Sequence, residues 1–227
     1  MLSRLSIDQR RVQLIDCALD LAQRTGMSSV TVRAVAEEAG VSLGIVHYCF
    51  DSKDALMAAM IERAVGDHLQ AFLRVESLDD LGADVAATET PGPVGADELR
   101  ALLAGALTSV LDVVQDSPER WLVLIESTVV SLRAPSTSGA YSTAARQNDL
   151  AEDYGLRYLS AIGARTAMTW DGSERAVVRA ALQLIYGMIQ WWLVDRDDDR
   201  ARTSIALLCD WITERATPVV PGALSAR

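Results

Sequence analysis

An all-α fold is predicted for this chain, an N-terminal helix-turn-helix head followed by a larger helical domain. Three observations predict it. Apolar residues recur at helical three- and four-residue spacing through most of the sequence. Glycine- and proline-containing breaks divide that pattern at short intervals. No segment shows a strand pattern of any strength, and no repeat is present. With 227 residues, half of them apolar, the chain can bury a sizeable core.

The first helix is expected over Ile7 to Thr25, where Leu14, Ile15, Ala18, Leu19 and Ala22 form one stripe and Gly26 stops it. Thr31 reads as the N-cap of a short helix, Val32 to Ala39, and Gly40 as the turn after it. Ser42 caps a second short helix that runs to about Tyr48, and Asp51 or Ser52 caps the longer SKDALMAAMIERAVGDHLQAFLRV. Glu76 to Gly95 is acidic, small and turn-rich and reads as a connection. Helices resume over Asp97 to Gln115 and Pro118 to Arg133, and APSTSG breaks the pattern. A long helix over Tyr141 to Thr169 ends at WDGS, another spans Ser173 to Val194, and DRDDDR reads as a solvated corner. The last helix is expected over Ala201 to Ala216, ended by Thr217-Pro218, with a frayed tail from Pro221. The expected division is a head over 1–52, a helical ligand-binding and dimerisation domain over 53–217, and a flexible tail over 218–227.

Composition narrows the functional classes. Cys17, Cys49 and Cys209 match no metal spacing and read as reduced cytosolic thiols. His47 and His68 are the only histidines, so neither a metal site nor a cofactor is expected. There is no Gly-rich phosphate loop and no G-x-S-x-G elbow, so no enzyme is expected. Nothing at Met1-Leu2-Ser3-Arg4 starts a signal peptide. The most apolar window, Ala180 to Val194, is shorter than the roughly 20 residues that span a bilayer and contains Gln183 and Gln190. It reads as a buried helix. A cytoplasmic protein without membrane association is expected.

The net charge of −10 argues against a nucleic-acid partner until its distribution is counted. Met1 to Val75 holds eight basic and nine acidic residues, and the remainder thirteen and twenty-two. The acidity therefore lies outside the head, and only the local field over the phosphates needs to be positive.

Two short helices joined by a glycine turn form the minimal DNA-reading unit. Ala36, Ala39 and Gly40 supply small residues where such helices cross, and Val35, Val41 and Val46 suit the head's core. Ser42, Leu43, Gly44, Ile45 and His47 are then left to face bases. The stretch TVRAVAEEAGVSLGIVHYCFDSKDALM resembles the head of TetR-family regulators. Thr31, Val35, Ala36, Ala39, Gly40, Val41, Ser42, Gly44, Val46, Phe50, Ser52, Lys53 and Leu56 fall in register with that family's pattern. The preceding RRVQLIDCALDLAQRTG matches its first helix, so the likeness covers about Arg10 to Met60. Leu43, His47 and Cys49 depart from it, and GIVHYCF resembles the branch of choline-responsive BetI-like repressors.

The resemblance implies a homodimeric repressor that binds a near-palindromic double-stranded DNA operator and is released by a small-molecule effector. A DNA-independent helical binding or structural protein is the alternative, as is an activator without a small ligand. On this reading Lys53, the chain's single lysine, and Tyr48 hold phosphates. Thr31 and Arg33 are further contacts, with a plain surface charge the alternative for Arg33. His47 meets phosphate or base, or caps its helix. Glu126 is an isolated carboxylate in the apolar WLVLIESTVVSLR, and either bonds a neighbouring group or meets a ligand. An effector pocket is expected from Trp121, Glu126, Tyr158, Trp170, Tyr186 and Trp191, with core packing the alternative for each aromatic. Aromatic faces beside a carboxylate suit an amphipathic or cationic organic ligand.

Overall fold

The computed structural model describes residues 5–75, 95–133 and 139–219. Nine α-helices lie among the described residues: α1 (Ile7–Thr25), α2 (Val32–Glu38), α3 (Leu43–Cys49), α4 (Lys53–Val75), α5 (Ala96–Asp116), α6 (Pro118–Arg133), α7 (Gly139–Thr166), α8 (Glu174–Asp195) and α9 (Asp198–Thr213). The fold is all-α, as the sequence predicts. The expected connection over 76–94, the break at 134–138 and the tail from 220 lie outside the described residues, as does the side chain of His68.

Packing divides the chain into two compact units, Met1–Gln70 with Ser117–Asn148, and Ala71–Asp116 with Asp149–Arg227. In the first, Ser6 and Gln9 form a reciprocal capping box that starts α1. Leu14, Ala18, Leu19 and Ala22 are the stripe that α1 buries. They share the core with Val30, Val35, Ala36, Val46, Phe50, Leu56, Met60 and Ile61. The sequence did not show that α6 belongs here, packed on α1. It buries Trp121, Val123 and Leu124.

In the second unit α9 packs against both α5 and α8. Leu99, Leu103, Leu111 and Val114 of α5 and Ile205, Leu208 and Ile212 of α9 are buried there. Several boundaries differ from expectation. The long helix α7 stops at Thr166, because Ala167 takes φ 54° and turns the chain. Met168–Thr169 then pairs antiparallel with Thr217–Pro218, a two-strand contact too short to leave a periodic signal. Pro218 lacks an N–H, and the neighbouring Val219 donates to Ala167 instead, at 2.8 Å. The run DRDDDR is only partly a corner: Arg196, at φ 53°, ends α8, and Asp197 caps α9 by accepting from Arg200. Asp198 and Asp199 thus fill the first turn, where the helix dipole favours carboxylates, and α9 begins at Asp198 rather than Ala201.

The helix expected to be buried over Ala180 to Val194 is buried on one side only. α8 is long and apolar enough to cross a membrane by length and composition. It covers Val177, Val178, Ala181, Ile189 and Trp192, and leaves Leu184, Trp191 and Val194 exposed.

Candidate nucleic-acid interface

The head's reading surface is built by two short helices held from behind. Thr31 caps α2, its hydroxyl accepting from Ala34 N at 3.1 Å. Gly40, at φ 64°, makes the turn, and Val41 N returns to Ala36 O at 2.9 Å. Val46 and Cys49 anchor α3 in the core. Arg11 of α1 donates to the Cys49 carbonyl, and its guanidinium lies 4.4 Å over the Phe50 ring. Gln13 reaches Ala39 O at 3.4 Å. These two ties from α1 carry no distinctive sequence signal, because Arg and Gln on an amphipathic helix read as solvated.

What α3 turns outward is Ser42, Leu43, Gly44, His47 and Tyr48, with Ile45 half-buried. Tyr48 is 76% and Leu43 45% exposed, an unusual display for a seven-residue helix. Ser42 begins α3 without spending its hydroxyl on a cap bond. A Cβ added to Gly44 would meet only the Ser42 hydroxyl, at 3.8 Å. Nothing inside the protein therefore requires glycine there. Lys53 is the exposed first residue of α4, and Ser52, immediately before it, caps the helix by accepting from Ala55 N. Arg33 is exposed and bonded to Glu37 at 3.0 Å, one turn along α2.

The candidate ligand residues divide between the two units. Trp121 and Glu126 belong to the first unit, and Tyr158, Trp170, Tyr186 and Trp191 to the second. Trp121 is buried. Glu126 accepts from the backbone of Met27. Trp170 is buried and donates to Ile212 O at 3.1 Å. Tyr186 sits half-buried on α8, and burial pushes its phenol up. Trp191 is exposed on α8, at the edge of an open groove of about 520 Å³ between α8 and α9 that also holds Trp192 and Trp211. Of the six, Tyr158 lines a half-open apolar cavity of about 130 Å³ bounded by α5, α7 and α8, with Ile212 of α9. Tyr154, one turn before Tyr158 on the same face of α7, lines it too. That i, i+4 tyrosine pair was the available sequence signal for this cavity.

The burial pattern gives Cys49 and Cys209 packing roles. Cys49 and Cys209 are buried, and burial raises the thiol pKa of Cys17 and Cys209.

Comparison with known proteins places this head. The family model of bacterial regulatory proteins, tetR family, matches residues 14–60. The nicotine-responsive transcriptional repressor HdnoR of Paenarthrobacter nicotinovorans is 44% identical over 71 residues, 31% of this chain and 34% of that one. The transcriptional regulator BetI of Paraburkholderia phytofirmans is 37% identical over 95 residues, 37% of this chain and 49% of that one. This chain thus spans between a third and a half of these curated relatives. Beyond the head the likeness is one of fold. A transcriptional regulator from Rhodococcus sp. RHA1 superimposes with a TM-score of 0.67 at 17% identity, covering 92% of this chain and 98% of that one. The head thus matches the tetR family model over residues 14–60, and the fold along nearly the whole chain is shared with a solved transcriptional regulator.

Proposed function

We propose that the protein is a DNA-binding transcriptional regulator, a repressor that leaves its operator when a small molecule binds. The observation that carries the reading is the outward face of α3. An exposed leucine and tyrosine flank a glycine that no internal contact requires, and the chain's single lysine stands at the start of the next helix. A backbone bared in this way suits close approach to another surface. In the major groove Leu43 would meet a thymine methyl, while Ser42, Ile45 and His47 face base edges. Tyr48, Lys53, Thr31 and Arg33 would hold phosphates, Lys53 beside the N–H groups at the start of α4.

On this reading 1–52 binds DNA, and 53–217 binds ligand and dimerises. Operator half-sites lie about 34–36 Å apart or at a multiple of that spacing, so two heads are needed. The exposed Leu184, Trp191 and Val194 of α8 and Leu207 of α9 offer the apolar face on which a second copy would pack. Such cover also explains α8's apolar length in a cytoplasmic protein. HdnoR is named as a nicotine-responsive repressor and BetI as a transcriptional regulator, so one head type serves regulators of different names. The head therefore does not choose the effector. Release requires the effector to favour the DNA-incompetent arrangement, since equal affinity for both would shift nothing.

Selection of bound fragments from random double-stranded DNA, followed by footprinting at moderate salt, tests the reading. Recovery of a near-palindrome protected on two successive major grooves is expected. Recovery of no sequence above background would favour a DNA-independent helical binding protein.

A further inference from the structure

We infer that the cavity among α5, α7 and α8 is a binding site for one small uncharged aromatic ring. The inference deepens the reading above and rests on it for its consequence, release from DNA. The cavity measures about 130 Å³. An apolar cavity of roughly 150 Å³ takes a single benzene, whereas drug-sized ligands need roughly 300–1,000 Å³. Its walls are aliphatic, with Leu103, Leu107 and Val110 from α5 and Val177, Val178 and Ile185 from α8. Its polar side chains are the two tyrosines of α7, and the Tyr158 hydroxyl donates to the backbone carbonyl of Leu102 at 3.3 Å. Among the described residues, no acidic or basic side chain lines it.

That lining decides the chemistry. A cation or a carboxylate would lose its hydration without meeting a counter-charge. Glu126, the carboxylate expected to receive a cation, is not in the wall. Glu152, on α7, is already committed to Arg175 and Arg179. An uncharged ring loses nothing comparable and gains dispersion contacts with the aliphatic walls. The space also has a local cause. Gly155 lets α7 approach α8 so closely that a Cβ there would stand 2.6 Å from Val178 Cγ1. The helices are thus already in contact, and Ala106 and Ala181 are the short side chains in the wall that leave room. A leucine at either would occupy it.

The test is thermal melting of the full chain with toluene and phenol as uncharged probes, and tetramethylammonium and benzoate as charged ones. A ligand that binds only the folded state raises the melting temperature saturably. Toluene or phenol is expected to do so, with the charged probes at least about tenfold weaker. Ala181→Leu should abolish the toluene response while leaving DNA binding intact, and Ala106→Leu serves if the first variant fails to fold. An unchanged toluene response in the filled variant, or charged probes binding as well as toluene, would overturn the assignment. Displacement of bound DNA is read in the same titration. Toluene binding that the filled variant abolishes, without displacement, keeps the site and removes the release reading. Intact DNA binding with no response to either uncharged probe removes the site alone.

Discussion

The Glu126 carboxylate of α6 accepts the backbone N–H of Met27 at 2.6 Å, across 99 residues of sequence. Gly26, just before it, ends α1 at φ 83° and ψ 161°, a conformation open essentially to glycine alone. Met27 opens a single 3-10 turn, where an N–H has no acceptor within its own helix. Both Glu126 oxygens lie 3.5 Å from where a Cβ on Gly26 would stand. The carboxylate is therefore a cap delivered by a distant helix, and it ties α6 to the back of the head.

Removing that cap should cost stability. Glu126→Ala leaves the part-buried Met27 N–H without its acceptor, at a cost of about 1–3 kcal/mol in denaturant unfolding. Glu126→Gln keeps an acceptor and should lose less. An alanine variant as stable as the parent would show that water replaces the carboxylate at no cost.

Lys53 should act on DNA without choosing sequence. It is exposed at the first position of α4, where the proposed reading puts a phosphate. Lys53→Ala should weaken all sequences alike and lower the slope of log affinity against log salt by about one. Fluorescence anisotropy at four salt concentrations reads both quantities, and an unaltered slope would remove Lys53 from the interface.

Arg33 points to a gain rather than a loss. It is bonded at 3.0 Å to Glu37, and both side chains are largely exposed. Such a pair contributes little to stability. Glu37→Gln should therefore leave the melting temperature nearly unchanged while freeing Arg33 and removing a negative charge from the head. Tighter DNA binding, most pronounced at low salt, is the expected result. Equal affinity at all salt concentrations would mean that Arg33 does not reach a phosphate.

The exposed apolar face of α8 and α9 should decide oligomeric state. Trp191 is 74% and Leu207 65% exposed. A glutamate at either would be unpaired and costly in a closed apolar interface. Trp191→Glu and Leu207→Glu should sediment as folded monomers and lose operator affinity far more than single-site affinity. A parent chain that is monomeric at micromolar concentration would refute the dimer directly.

The head was the legible part, because its geometry is local. The cap at Thr31, the turn at Gly40 and the buried Val35 and Val46 each follow from residue type and spacing within a few positions. The partners of Glu126 and Trp170 were not legible. Each bonds a backbone group, and backbone groups carry no residue signature at a separation of 99 or 42 residues. The half-exposure of α8 was missed for a related reason. A helix apolar on several sides looks buried in sequence whether its cover comes from its own chain or from another. The small cavity depends on Gly155, Ala106 and Ala181, whose significance appears only once the helices are placed beside one another.

Acid should weaken the second unit through Glu152. This buried carboxylate of α7 meets two arginines of α8: Arg179 bonds it at 2.6 and 2.8 Å, and Arg175 bonds its other oxygen. The hydrogen bond from Arg179 is the leading cause that holds its pKa below the ordinary carboxylate value, and burial opposes it. Asp210 behaves alike on α9, lowered chiefly by its bond from Arg100 of α5. A carboxylate whose folded pKa is depressed stabilises the fold fully above its unfolded pKa, and loses that contribution as pH falls through the folded value. Stability should thus be flat from neutrality down to the ordinary carboxylate range and then fall. Glu152→Gln removes one proton-linked group. Its loss of stability should be largest near neutral pH, and the gap to the parent should narrow on acidification. Denaturant unfolding at a series of pH values measures this, and a gap of constant size down to the acid end would show that Glu152 is not linked to folding through its charge.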